Sequence, residues 1–450
     1  MKKMKRLLAL LLALLAVMGC CAGCDNGEDP AGDSGITGEK VVLKISYFKG
    51  GYGEEWIKAI TEAYTALHPN VTFLLEGDPD MTLKIGTRLE SGANLPDIAM
   101  VLGTSWQQWA AKGYLEDLTD VYTADMGGGV TMHEKLIDET ADVGKYAGKY
   151  WMVPWSDALN GIVYNAKMFR ENGWEIPTTT EELFALMDEM KAAGVTPFAF
   201  GGKVINYWDF PVLAWWAQYE GMDNMQTFLQ MQTPEVYAQE GRLKALEAFE
   251  KIIMDKTNYV DGAMGMDHTQ SQMAFLQGKA AMIPMGAWME TEMKNSLPED
   301  FELAIMLTPT IEGAKMTDVS VSTSQDMIFI PKKAKNKEVA KDFLKFMASD
   351  EMLQLYTQKT GSPRPFEYTP ETEGLTDFGK NVISLWQTAN KVYMFSPSPL
   401  YFMKFNYWPA AGTPYARIQI GDETASEVWS GDYSFARSKW EQTKEELGMS

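Results

Sequence analysis

Cysteine is nearly missing from this 450-residue chain, and the little there is sits in one place. Cys20, Cys21 and Cys24 are the whole set. Everything after residue 24 therefore lacks disulfides and thiolate metal sites. Histidine is as scarce: His68, His133 and His268 share no ligand spacing, and His68 beside Pro69 reads as a helix end. Gly127-Gly128-Gly129 lacks the lysine and hydroxyl residue of a phosphate loop, and no G-x-S-x-G elbow occurs. Positive charge is also short. There are 40 Lys and Arg against 61 Asp and Glu, and the formal net charge of −21 argues against nucleic acid as a partner. These absences predict no metal, no cofactor and no enzyme, although so many carboxylates leave a glycosidase pair open.

The compartment is written in the first residues. MKKMKR is a basic stretch, LLALLLALLAVMG an apolar one, and CAGCDNGEDP follows. The apolar run is too short and too abruptly ended for a membrane span, so it reads as an export signal. Ala22-Gly23-Cys24 resembles the bacterial lipobox, which makes Cys24 the expected lipidation site and residues 1–23 the signal peptide. Cys20, after Val17-Met18-Gly19, is the alternative. Residues 24–39 are rich in Gly, Asp and Glu and read as a flexible tether. Export and a lipid anchor place the body outside the cytoplasm, on the cell membrane.

Beyond the tether, VVLKISYF alternates like a strand, and Ile57, Ile60, Tyr64 and Leu67 share one face of a helix that His68-Pro69 stops. VTFLLEG, MTLKIGTRLES and DIAMVLG complete a strand–helix–strand–helix–strand series, the signature of a parallel α/β sheet. Ligands in such sheets bind beyond the carboxyl ends of the strands. The loops there are Lys49-Gly50-Gly51-Tyr52 and Gly103-Thr104-Ser105-Trp106. Further on, Thr179 and Glu182 form a capping box, AAMIPMG, FELAIMLTP and MIFIP read as strands, and Trp215-Trp216 lie in an apolar helical stretch suited to packing.

Aromatics are plentiful, with 14 Trp, 19 Tyr and 20 Phe. Several fall among polar residues in predicted loops: Trp106-Gln107-Gln108-Trp109, Trp151 to Asn160, Asn206-Tyr207-Trp208-Asp209 and Asn406-Tyr407-Trp408. A pyranose ring has apolar faces and a hydroxyl rim, so flat rings beside hydrogen-bonding side chains suit it. Any one of these tryptophans taken alone is equally at home in a core. In GKAAMIPMGAWME, residues 278–290, a short strand passes Gly286 and delivers Trp288 to its rim.

Four segments in order carry a resemblance: NLPDIAMVL, VPWSDALNGIVYNAKMFRENGWEIPTTTEELFALMDEMKAAG, FLQGKAAMIPMGAWM, and IPKKAKNKEVAKDFLKFMASDEMLQLY with GSPRP. The chain resembles the extracellular sugar-binding lipoproteins of bacterial ABC transporters. The resemblance implies an α/β, two-lobe periplasmic-binding-protein-like fold with three hinge crossings and the ligand cleft between lobes. The expected crossings fall at Pro154–Asp157, Met306–Thr308 and Phe346–Ser349. They give a first lobe of 40–154 and 308–347 and a second of 155–307 and 348–450. The implied ligand contacts are Tyr52 and Trp106 from the first lobe, Trp155 and Asp157 at the hinge, and Tyr207, Trp208, Trp288 and Trp408 from the second, with Gln325 and Arg364 as weaker candidates. The implied partners are a carbohydrate, the permease subunits and the membrane that holds the anchor, with the protein a monomer. The run MGAWMETEMKNSLPEDFELAIMLTP leans toward the branch that binds N-acetylglucosamine or its short β-linked oligomers. A non-sugar solute, and less readily a surface glycoside hydrolase, remain the competing readings.

Overall fold

A computed structural model of the chain describes residues 38–102, 106–322, 326–410 and 412–449. The signal peptide, the three cysteines, the tether as far as residue 37, the loop tip 103–105 and Gln325 lie outside the described residues.

Two sheets with separate cores organise the body. In the first, β1 (Val41–Phe48) buries Leu43, Ile45 and Tyr47 and runs parallel to β2 (Val71–Asp78) and β3 (Ile98–Val101). The helices Glu55–Leu67 and Met81–Ser91 return the chain between them, as the periodicity predicts. Leu67 departs from the expected face: it is 66% exposed, because the helix ends there and the chain turns away at His68. The hairpin of β4 (Lys145–Tyr146) and β5 (Lys149–Tyr150) precedes β6 (Val153–Pro154).

The second sheet is antiparallel, with β7 (Asn160–Asn165) between β8 (Met282–Gly286) and β9 (Leu303–Met306). Pro284 sits in β8, an edge strand, where a missing N–H leaves no ladder bond unmade. β10 (Val319–Ser322) and β12 (Asn390–Tyr393) form a parallel pair nearby. β11 (Met327–Phe329) joins the first sheet, in the order β2-β1-β3-β11-β6.

The chain passes between the sheets three times. Trp155–Leu159 links β6 to β7. The second passage comes later than the expected Met306–Thr308. Residues 308–310 stay with the second sheet's helices, where Trp215 Nε1 donates to Pro309 O at 2.9 Å and Gln218 Nε2 donates to Thr308 O at 2.9 Å. The chain reaches the first sheet only between β10 and β11. The third passage is later than Phe346–Ser349 as well. Helix Asp350–Thr360 packs on Glu55–Leu67, with the Tyr356 ring 5.3 Å from Trp56, and Gln358 Nε2 donates to Glu371 O at 3.0 Å. Thr376 then donates to Glu290 at 2.8 Å, and helix Asp377–Thr388 packs on β9. In both cases the segment follows an apolar surface already on offer, which a linear motif does not reveal.

The larger core belongs to the second sheet. Trp215 and Trp216 are fully buried there, and the Thr179–Glu182 capping box opens helix Thr180–Ala192. Arg242 is also fully buried. Its Nη2 reaches Asp432 Oδ2 at 2.6 Å and Tyr407 O at 2.8 Å, its Nη1 donates to Tyr237 O at 2.8 Å, and the rings of Trp216, Tyr237 and Trp408 surround it at 5.0–5.2 Å. One guanidinium thus ties helix Glu240–Ile253 to helix Ala425–Glu446 and to the aromatic loop between them. Breaking a buried pair strands the remaining charge. Arg242→Ala is expected to lower unfolding free energy by about 3–5 kcal/mol. Arg242→Met combined with Asp432→Leu, which removes both charges, should lose much less; urea titration of the three proteins measures the difference.

Candidate ligand-binding site

A cavity of about 470 Å³ opens where the two sheets face each other, within the range of small-ligand sites. One side is the loop after β1, with Phe48, Gly50, Gly51, Tyr52 and Gly53, backed by Trp56. That is the carboxyl end of a parallel strand, as the sheet topology predicts. Ser156, Ala158 and Asn160 of the first passage form the base, together with Asp326. Asn206, Tyr207, Asp209, Phe210, His268, Trp288, Glu292 and Tyr407 close the other side.

Trp288 is half-buried and stands at the start of the short helix Met289–Met293. Two glycines make room for it. A Cβ on Gly286 would collide with the six-membered ring of the indole, and a Cβ on Gly51 would lie 2.5 Å from Trp288 Cβ. The loop after β1 therefore abuts the second sheet's tryptophan directly. Phe210 and Tyr207 meet the indole edge to face at 5.7 and 6.2 Å and hold its plane. Tyr207 also packs against His268 at 5.0 Å. His268 Nε2 lies 2.7 Å from Glu292 Oε2, which accepts from Gln272 Nε2 at 2.6 Å.

The buried polar groups are unevenly served. Asp209 Oδ1 accepts from Trp408 Nε1 at 2.8 Å and Tyr415 Oη at 2.5 Å, and burial pushes its pKa up to about 6. Asp326 has its backbone N–H on Ser156 Oγ at 3.1 Å, and burial pushes its carboxyl up to about 7 against the pull of Arg364. Asn160 donates through Nδ2 to Val321 O at 2.9 Å, while its buried Oδ1 has no partner among the described residues.

Of the residues singled out by sequence, Tyr52, Tyr207 and Trp288 come together on this cavity. Tyr52 Oη lies 3.0 Å from Ser362 Oγ. Gln325 lies outside the described residues, and the others do not line the cavity. Trp106 begins a helix rather than ending a loop and is packed among Met81, Ile85 and Phe329. Trp155 is buried against Trp56 at 5.6 Å and Tyr356 at 5.9 Å, with the Arg364 guanidinium on its ring and Arg364 Nε donating to its carbonyl. Arg364 is fully buried with it. Asp157 accepts from Trp386 Nε1 at 2.7 Å and Tyr393 Oη at 2.9 Å, so it fastens helix Asp377–Thr388 and β12 to the hinge; burial raises its pKa.

Trp208 and Trp408 are core residues, 0% and 2% exposed. The short helix Gly202–Trp208 runs on into the helix from Asp209, so neighbouring side chains diverge around the axis. Tyr207 and Asp209 reach the cavity and Trp208 turns to Phe198, Phe200 and Phe249. Tyr407 and Trp408 divide in the same way. Both clusters were legible as polar–aromatic, but residues 206–209 are helical where a loop was expected, and which member faces outward was not legible. Phe210 and His268 carried no such signal, and Glu292 stood out only within the run that follows Trp288.

Comparison with known proteins agrees with this architecture. The chain is 23% identical over 366 residues to the diacetylchitobiose binding protein NgcE of Streptomyces coelicolor, spanning 78% of this chain and 77% of that protein. It is 25% identical over 317 residues to the multiple sugar-binding protein of Streptococcus mutans, spanning 68% and 71%. A solved chitin oligosaccharide binding protein superposes with a TM-score of 0.66 at 18% identity, over 87% of this chain and 98% of that one, which establishes the shared two-lobe fold. Residues 50–354 match the model of the bacterial extracellular solute-binding proteins, and this chain belongs to that family.

Proposed function

We propose that the protein captures an extracellular oligosaccharide between its lobes and hands it, by hinge closure, to an ABC permease. The observation that carries this reading is the composition of one cavity: Trp288, Trp56, Phe210, Tyr52, Tyr207 and Tyr407 supply ring faces and edges, and Asn160, Asp209 and Asp326 supply buried acceptors among them. Sugars need both in one place. The sugar-binding relatives support the same cargo class, and the diacetylchitobiose binder among them supports an N-acetylglucosamine oligomer. Several rings favour more than one sugar unit, since each unit needs its own platform.

On this reading the first lobe takes in the chain to Pro154 and from Asp326 to Glu371, and the second lobe the stretches between and beyond. Ligand touching both lobes stabilises the closed arrangement through contacts the open one lacks. The body acts as a monomer without cofactor, leashed to the outer face of the membrane through Cys24 or Cys20. On this reading it performs no chemistry on its cargo, in keeping with a family of solute-binding proteins.

A thermal-shift screen of residues 26–450 against mono- and oligosaccharides including diacetylchitobiose is expected to raise the melting temperature with one sugar class, and the rise should grow with ligand concentration. No shift with any sugar moves the cargo to another solute, and release of reducing sugar would make the protein a hydrolase. Trp288→Ala is expected to weaken the identified sugar about tenfold or more, the scale of aromatic stacking plus lost area, with the fold intact. Unchanged affinity with a lowered melting temperature would make the indole a packing residue only. Gly51→Ala is expected to weaken the same sugar by obstructing the approach of its loop to Trp288, while urea stability stays within about 1 kcal/mol of the parent; calorimetric titration measures the first and urea unfolding the second.

A further inference from the structure

Three carboxylates, those of Asp209, Glu292 and Asp326, reach the cleft wall, and among the described residues no lysine or arginine lines it. Glu292 is already supplied with partners, His268 at 2.7 Å and Gln272 at 2.6 Å. The other acceptors are not. Asp326 is 8% exposed, and no donor reaches its carboxylate among the described residues; Arg364 acts on it only through its field. Asp209 is 5% exposed and has both of its donors on Oδ1, with none on Oδ2 among the described residues. Asn160 is 6% exposed, with Oδ1 unpartnered among the described residues. Acceptors with spare capacity on a cavity wall favour a ligand that brings donors to them.

We infer that the cleft selects its sugars by charge: it takes rings that present hydroxyl or ammonium donors to Asp209, Asp326 and Asn160, and it rejects rings that carry a carboxylate. This inference rests on the sugar-capture reading. A neutral sugar hydroxyl donates to a carboxylate in a strong, charge-assisted bond and accepts from a neighbour in turn. An ammonium in the same place adds charge pairing, and the aromatic walls tolerate it through their ring faces. A uronate carboxylate does the opposite. It is an acceptor among acceptors, a like charge beside like charges, and no cation on the wall offsets its loss of water. Salt screens such buried repulsion weakly. The chain's net charge of −21 adds repulsion of the same sign at longer range.

The test is calorimetric titration of the full mature chain at about pH 8.5, above the values of about 7 and 6 to which burial pushes Asp326 and Asp209. The probes are diacetylchitobiose, cellobiose, maltose and raffinose, each beside its C6-oxidised uronate, with deacetylated chitobiose, whose amines are largely uncharged at this pH, as a further neutral donor arm. The expected result is that at least one neutral sugar binds, that its uronate is weaker by about tenfold or more, and that the amine form suffers no such loss. In Asp326→Asn the ratio of neutral to uronate affinity should narrow, and Asp209→Asn provides a second variant read by the same ratio. A uronate that binds as well as its neutral partner overturns the inference and leaves sugar capture standing. A ratio that neither variant changes assigns the rejection to shape and overturns it too. If no sugar of any kind binds, the capture reading itself fails.

Discussion

A buried carboxylate must be given donors, and much of this cleft follows from how Asp209 gets them. Its Oδ1 holds Trp408 and Tyr415, which lie about two hundred residues further along the chain, at 2.8 and 2.5 Å. That pair fixes the aromatic loop of residues 395–408 against the start of helix Asp209–Gln230. The loop is clamped from below by Arg242, which accepts the Trp408 ring on its guanidinium and donates to Tyr407 O. Tyr407 is thereby presented to the cavity from a segment whose regular structure is a short π-helix, Tyr401–Phe405. A side chain positioned by such a loop would be loose; one clamped by a carboxylate and a guanidinium is preorganised, and preorganisation is what affinity rests on when the area in contact is small.

The opposite wall is held by size instead of charge. Gly286 lets the Trp288 indole fold back over its own strand, and Gly51 lets the first sheet's loop come up against it. Neither contact tolerates a methyl group without displacement. The consequence is mechanical: the ring that would stack on a sugar is also a ring that the facing lobe touches. On the sugar-capture reading, ligand binding and lobe approach meet at Trp288, beside lobe contacts such as Lys294 to Glu55 at 2.6 Å and Thr291 to Thr360 O at 3.2 Å.

Element type was legible wherever periodicity was strong. β1, β2 and β3 with their two helices, the capping box at Thr179, and the strands Met282–Gly286 and Met327–Phe329 stand where alternation and capping place them. The packing role of Trp215 and Trp216 was legible as well. What linear reading missed was direction. Trp208 and Asp209 are neighbours, yet one is core and the other cleft, because a helical turn separates adjacent side chains by about 100° and the register was set by packing elsewhere. Trp155 and Asp157 stand at the hinge, but the hinge itself is buried: Trp386 and Tyr393 both donate to Asp157 Oδ2, and Arg364 packs on the Trp155 ring and donates to its carbonyl. His268 was silent because a lone histidine carries no pattern, and Glu292 stood out only within the run after Trp288, with no partner in view until the fold sets the two 2.7 Å apart.

The aromatic surplus therefore has two uses, and they depend on each other. Trp208, Trp215, Trp216, Trp408 and Trp440 are all buried in the core of the second sheet, where large rings fill space with few rotatable bonds. That core is what keeps Phe210, Tyr207 and Trp288 in fixed edge-to-face contact at its surface. A floppier aliphatic core would leave the same three rings free to collapse onto one another when the cleft is empty, hiding the apolar faces a sugar needs. Rings beneath hold rings above. The core tryptophans, though none lines the cavity, thus act on the site through the rigidity of the platform, and the carboxylates between the rings keep that platform open to a ligand with donors to give.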